Sequence, residues 1–422
     1  MIMLLHKFSL LAACLLIVTP ALSASTTAQA ATFSTTEIKQ VHHFQQEYAD
    51  LNKTNYDSST LYSKTPHLSR KFNAGQITDK YADSQLQYIN YYRSLFGLPP
   101  VSENKTAQKN AQKTAAVMAA INANPFVNQH GLPTETRPAY VSKSTWKVAQ
   151  DTSETSNLNF NVSNQSAGDV ITDLLTDHYN LSGSDTGHRA WILSTRLSST
   201  GVGAAYGTNG YRYSVQKVLN VDDLFRESSQ PVVAYPSTGV FPIELTKGKN
   251  IVWSLYLSDK GIKNDPKITI TDKDLDQTYT ATNVKNYSKS GYGNFKSVIT
   301  YSPGKTPIVA GHEYEVKIGD AYTYTFKLFK QDTNTSAMTT TTTAAVATPK
   351  PRTYQYVSSQ QHDTKLKSPL LVQGEKYWAT TLSPKSKSNT QTPNYFDTLK
   401  RGQWHRNFFA RQAFLSKQVL QN

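Results

Sequence analysis

Cysteine is almost absent: Cys14 is the only one in 422 residues. It lies inside the apolar run Phe8–Val18, which follows His6 and Lys7, and small-residue cleavage sites end at Ala24 and, as Ala-x-Ala, at Ala30. That order is the pattern of a secretory signal peptide over residues 1–30. Leu11-Ala-Ala-Cys14 matches a lipoprotein box but falls within the apolar run instead of after it, so Cys14 is expected to leave with the signal. A mature chain without thiols forms no disulfide, and its stability has to come from its core. The apolar run is too short and wrongly flanked to span a membrane. No second long apolar segment and no sorting motif follows, so the expectation is a secreted protein, extracellular or wall-associated, of a bacterial and Gram-positive kind. HExxH, GxSxG and a catalytic cysteine are also missing, which removes the usual protease chemistries.

Acidic residues are the second shortage. Lys and Arg number 44 against 30 Asp and Glu, a formal charge of +14, which favours polyanionic partners. The excess is uneven: from Lys350 onward twelve basic residues face three acidic ones, a net +9, and the rest of the chain carries only +5. In that end segment Trp378, Tyr395, Phe396, Trp404, Phe408, Phe409 and Phe414 interleave with the cations, and Leu399 to Leu420 reads as a basic helix. On an exported chain this suits an anionic wall polymer or membrane surface, while nucleic acid is not the expected partner.

Length implies two or three domains. Residues 31–80 are a polar lead whose Thr36 to Leu51 stretch spaces Ile38, Val41, Phe44 and Tyr48 as a helix. Adjacent His42 and His43 point to different faces and read as surface residues. Residues 81–222 hold the alternation of helices and strands described next. From 228 to 331 come eight short β-branched and aromatic runs, Pro231–Tyr235, Phe241–Leu245, Ile251–Leu257, Lys267–Thr271, Tyr279–Val284, Lys296–Tyr301, His312–Ile318 and Tyr322–Phe329. Turn residues separate them, which predicts an all-β, Ig-like sandwich. It contains no evident catalytic cluster, and structural support or contact with carbohydrate is its expected role. Residues 332–352 are a Thr-rich linker and 353–422 the basic aromatic tail.

The informative stretch is Asp169 to Gly203. Asp169 is a helix N-cap signal, and Val170, Ile171, Leu174, Leu175 and His178 form an apolar helical face. Asn180 to Gly187 break the helix, and His188 and Arg189 stand at the rim of the buried-looking run Ala190-Trp191-Ile192-Leu193. Upstream, Leu86-Gln-Tyr-Ile-Asn-Tyr-Tyr-Arg93 runs into Gly97-Leu-Pro-Pro-Val101, with Asp83 opening that helix. An Ala-rich helix follows from Asn104 or Thr106 to Ala123, then Phe126-Val-Asn-Gln-His130-Gly131. Val202 to Ala205 and Tyr211 to Leu219 alternate as strands around a Gly207–Gly210 turn.

The Gly187-His-Arg-Ala-Trp-Ile-Leu193 run, its following strands and the Asn90-x-x-Arg93-x-x-x-Gly97-Leu98-x-Pro100 signature together resemble the CAP superfamily, the cysteine-rich secretory, antigen-5 and pathogenesis-related proteins. The resemblance covers about residues 80–220. It implies an α/β/α sandwich in which two His-bearing loops meet in a cleft, here followed by the β-sandwich. Unlike the disulfide-rich animal and plant members, this chain is cysteine-poor.

By the same resemblance, His130 and His188 are the two site histidines. Where the family has Gly-Glu-Asn, this chain has Thr155-Ser156-Asn157, so the carboxylate is displaced to Glu154 or replaced by Ser156. Asp177 takes the second acidic position. Arg189 either pairs with that carboxylate or faces solvent, and His178 reads as a satisfied core residue. Two histidines and one carboxylate suffice for Zn²⁺ with an open position; the alternative is that His and Asp hydrogen-bond each other and lock the loops. Two functions stay open. One is a non-enzymatic protein that holds a cell-wall polymer, a small apolar ligand or a partner in the cleft. The other is a metal-assisted hydrolase of peptide or wall substrates, with His130 and His188 on the metal and Asp177 or Glu154 as general base.

Overall fold

The computed structural model describes residues 32–331, apart from 163, 181, 182, 249 and 250. The signal peptide, Thr-rich linker and basic tail expected from the sequence lie outside these residues.

Each long helix begins at a side-chain cap, where a Ser, Thr or Asn oxygen takes one of the backbone N–H groups that have no helical partner. The first, α1 (Thr35–Asp50), is capped by Ser34 in a capping box with Glu37. Next, α2 (Asp79–Leu95) starts at Thr78, whose side chain accepts from the Tyr81 amide. Its first helical residue, Asp79, is four residues before the expected Asp83. Helices α3 (Lys105–Ala120) and α4 (Lys143–Glu154) are capped by Asn104 and Ser142, and α5 (Ala167–Thr176) by Ser166. Asp169, expected as the cap of α5, is instead the third helical residue and closes the box back onto Ser166. The expected Gly-His-Arg turn is the short helix α6 (Gly187–Ile192).

Three strands make the central sheet: β1 (Ser156–Asn161), β2 (Val202–Tyr206) and β3 (Arg212–Lys217), antiparallel in the order β1-β3-β2. Helices α3 and α4 cover one face, where Ala111, Ala115, Val117 and Ala149 pack on Leu158, Tyr213 and Val215. Glycine permits the close approach, because a Cβ on Gly203 would fall 2.3 Å from the Gln112 amide nitrogen of α3. On the other side lie α2 and α5, which gives the α/β/α arrangement.

Nine strands follow. Four of them, β4 (Val232–Tyr235), β6 (Trp253–Leu257), β9 (Thr282–Asn286) and β10 (Ser297–Ser302), form one sheet in the order β4-β6-β10-β9. The other five are β5 (Gly239–Pro242), β7 (Ile268–Asp272), β8 (Gln277–Thr280), β11 (Glu313–Ile318) and β12 (Tyr322–Phe329), in the order β5-β12-β11-β7-β8. The stretch Tyr279–Val284, expected as one strand, is divided at Ala281 between the two sheets.

The sandwich does not hang free of the α/β part. A single buried cluster runs from Val41 and Phe44 of α1 through Ile89 and Tyr92 of α2, Ile171 and Leu175 of α5, and Ile192 of α6 into Trp253, Ile299 and Phe326 of the sandwich. Phe44 stacks on Phe329 with ring centroids 6.3 Å apart, and Phe96 stacks on Tyr235 at 5.9 Å. Lys327 reaches Glu37 at 3.0 Å. The lead helix therefore closes the seam between the two parts.

Candidate functional site

His188 stands in the first turn of α6, and what precedes it fixes its ring. At the end of α5, Asp177 turns into the left-handed region (φ 58°), which aims its carboxylate back at α6. Asp177 Oδ1 lies 2.7 Å from His188 Nδ1, and Oδ2 accepts the Arg189 backbone N–H at 3.2 Å. Burial disfavours the imidazolium, but the Asp177 charge and hydrogen bond, helped by the charge of Asp185, outweigh it and raise the His188 pKa above 6.5. The carboxylate proposed as metal ligand or base is thus the group that orients His188.

His130 follows α3 in an irregular loop. Its Nδ1 lies 2.9 Å from the Ser153 carbonyl oxygen at the end of α4, and the Gly131 amide donates to Ser153 Oγ at 3.0 Å. Gly131 has a φ of 75°, and a Cβ there would fall 2.4 Å from Glu154 Oε2. Glu154 thereby packs against the His130–Gly131 backbone. Burial, with the nearby Asp151 charge, pushes its carboxyl up to about 8, so at neutral pH it is mostly protonated.

One short piece of chain touches both histidine loops. Ser153 holds the His130 loop, and four residues later Asn157 Nδ2 donates to the His188 carbonyl at 3.1 Å and to Gln216 Oε1 at 3.2 Å. Of the two residues left open for the displaced carboxylate, Glu154 lies against the His130 loop. Ser156 pairs with Lys217 across the ladder. By strand alternation it shares the face of Leu158 and Val215 under α3 and α4, opposite to Asn157 and Gln216.

Arg189 requires a correction. It neither faces solvent nor pairs its guanidinium with Asp177. It is fully buried, donating to the carbonyls of Leu175 (2.7 Å), Thr176 (2.7 Å) and Val252 (2.8 Å), and it lies 3.7 Å from the centre of the Tyr235 ring. Arg93 of the upstream signature does similar work. Also fully buried, it donates to the carbonyls of Pro99, Ile192 and Ser194 at 2.9, 2.7 and 3.0 Å. Asn90 clamps both the N–H and the C=O of Val101. These residues hold the scaffold together. His178, half-buried, has its Nδ1 2.8 Å from Thr176 Oγ1.

The expected Zn²⁺ set is not assembled as written. Among the described residues, three donors come within 4.8 Å of one another only at Asp272, Asp274 and His312, in the sandwich. That group could hold a metal ion. Its atoms also clamp a turn: Asp272 Oδ1 accepts the amides of Asp274 and Leu275, and Asp274 Oδ2 accepts that of Glu313. His312 Nδ1 sits 2.9 and 3.1 Å from the two Asp272 oxygens. Sequence reading missed this group because its members lie on β7, the turn after it and the approach to β11. Asn157 was within reach, since it stands where the family's Gly-Glu-Asn has its Asn.

Residues 86–218 match the model of the cysteine-rich secretory protein family, CAP, which supports a CAP superfamily domain over the segment that carries both histidine loops. No curated protein matches the chain. Among the described residues no helix is long and apolar enough to cross a membrane.

Proposed function

We propose that this is a secreted CAP-domain protein that binds a wall polymer or other ligand at the bacterial cell surface, in the cleft between the His130 and His188 loops, without catalysing a reaction. One observation carries the reading. Both imidazoles are anchored through Nδ1, by the Ser153 carbonyl and the Asp177 carboxylate, so each is a pre-oriented hydrogen-bonding group while neither neighbouring carboxyl is available as a base. Asp177 is spent on orienting His188, and Glu154, pushed up to about 8, acts as a donor at neutral pH. A binding cleft tolerates that arrangement, whereas a mechanism with either carboxyl as general base needs that carboxyl free and ionised.

The metal-assisted hydrolase is the second reading, and the same anchors favour it to one extent. An Nδ1 held by a carboxylate or carbonyl is how metal-binding histidines are usually supported. Among the described residues no group of three donors includes the two histidines, and the Asp177 carboxylate is engaged by His188. Co-sedimentation with purified peptidoglycan sacculi separates the two. The binding reading predicts retention that falls at least about tenfold in His130→Ala and in His188→Ala, which is about 1.4 kcal/mol, with no release of soluble fragments. Fragment release that depends on His188 would reverse the order of the two readings.

A further inference from the structure

The loop that carries His188 is held from outside the α/β part. Three consecutive loop residues each meet a different tyrosine of the sandwich. Ser184 Oγ lies 3.2 Å from the Tyr287 hydroxyl, Asp185 Oδ2 accepts from the Tyr292 hydroxyl at 3.0 Å, and Thr186 Oγ1 lies 2.7 Å from the Tyr256 hydroxyl. Asp185 is buried, and its other oxygen accepts from Asn180 Nδ2 at 2.6 Å and from the Gly187 amide at 3.1 Å. Thr186 is in the left-handed region (φ 52°), a conformation that persists in a threonine only where its surroundings hold it. Gly293, beside Tyr292, approaches so closely that a Cβ there would fall 2.3 Å from the Ala190 carbonyl oxygen of α6. Tyr292 thus reaches the first turn of α6 through one carboxylate that also bonds the residue before His188.

We propose that the sandwich is a working part of the cleft and that Tyr292 is a positioning residue for His188, acting through Asp185. The consequence for ligand binding rests on the function proposed above, but the positioning itself is read without any ligand. The charged and titratable groups around His188 are Asp177 at the end of α5, Asp185 in the loop and Tyr292 from the sandwich, while the Arg189 guanidinium turns away to the carbonyls of α5. Freed from Tyr292, Asp185 no longer pins Gly187, and the short bond between His188 and Asp177 loosens.

The test is hydrogen exchange at the His188 imidazole N–H in the full chain, followed by NMR alongside thermal stability. In Tyr292→Phe and Asp185→Asn the ring N–H should lose its protection from exchange. Tyr279→Phe, on the far sheet, should leave it unchanged. If either Tyr292→Phe or Asp185→Asn folds and protects the His188 N–H as the wild type does, at whatever stability, the proposal is overturned. Should Tyr292→Phe fail to fold, Asp185→Asn decides alone. Because the readout needs no ligand, a failed positioning claim and a failed binding claim give different results: undiminished N–H protection in the first case, unchanged sacculus retention in the second.

Discussion

His188 and Glu154 sit in the same region and are perturbed for opposite reasons. Burial lowers the affinity of His188 for its proton, and a carboxylate at 2.7 Å more than restores it. Asp177→Asn removes the charge and keeps the shape, so the His188 pKa should fall below its wild-type value, read by NMR. At Glu154, burial and the nearby Asp151 charge act in the same direction. Its folded-state pKa, about 8, is above the ordinary 4.5, so between those two pH values the folded state binds more protons than the unfolded one. Its contribution to stability is therefore fully present below about 4.5 and is lost as the pH rises through about 8. Glu154→Gln should flatten that part of the stability-against-pH curve in urea melts. An unchanged slope would mean that the carboxyl is solvated.

Elements explain why some of this was legible in the sequence. Asn90, Arg93 and Gly97 lie within two helical turns, and a local pattern of that kind survives in one dimension. Their roles did not: Arg93 ties α2 to carbonyls about a hundred residues later, a contact that no periodicity encodes. Arg93→Met should destabilise the protein by about 3 kcal/mol or more, because several buried carbonyls lose their donor together. Chemical denaturation measures it, and a change below about 1 kcal/mol would show that water replaces the guanidinium. Gly203 makes the matching point for the sheet. With a Cβ 2.3 Å from the Gln112 amide, Gly203→Ala must push α3 off β2, at a cost of about 1–3 kcal/mol. The start of α5 was misplaced by three residues because Ser166 and Asp169 are both good caps, and the box uses both. The α4 helix, with few large apolar residues, gave no expectation of a helix at all.

At the scale of the molecule, the α/β part and the strand-rich part share one buried core. Helix α1 covers the edge of their seam, and the His188 loop is fastened to sandwich tyrosines. Linear patterning could not foresee this, since a strand's buried face looks alike whether it meets its own sheet partner or a helix of the neighbouring domain. A chain cut to residues 82–222 therefore exposes Ile171, Leu175 and Ile192 to water and should unfold at a markedly lower temperature than residues 32–331, by calorimetry. Equal melting temperatures would show that the seam contributes little.

The central claim is that the two anchored histidines serve one ligand. The most direct measurement is a double-mutant cycle on sacculus retention by the full chain, with His130→Ala, His188→Ala and the pair. The account predicts that the double variant loses no more than the more damaging single variant, because on the proposed reading either loss disrupts one common site. Losses that simply add would place the two histidines at separate sites, and retention unchanged in all three variants would contradict the account.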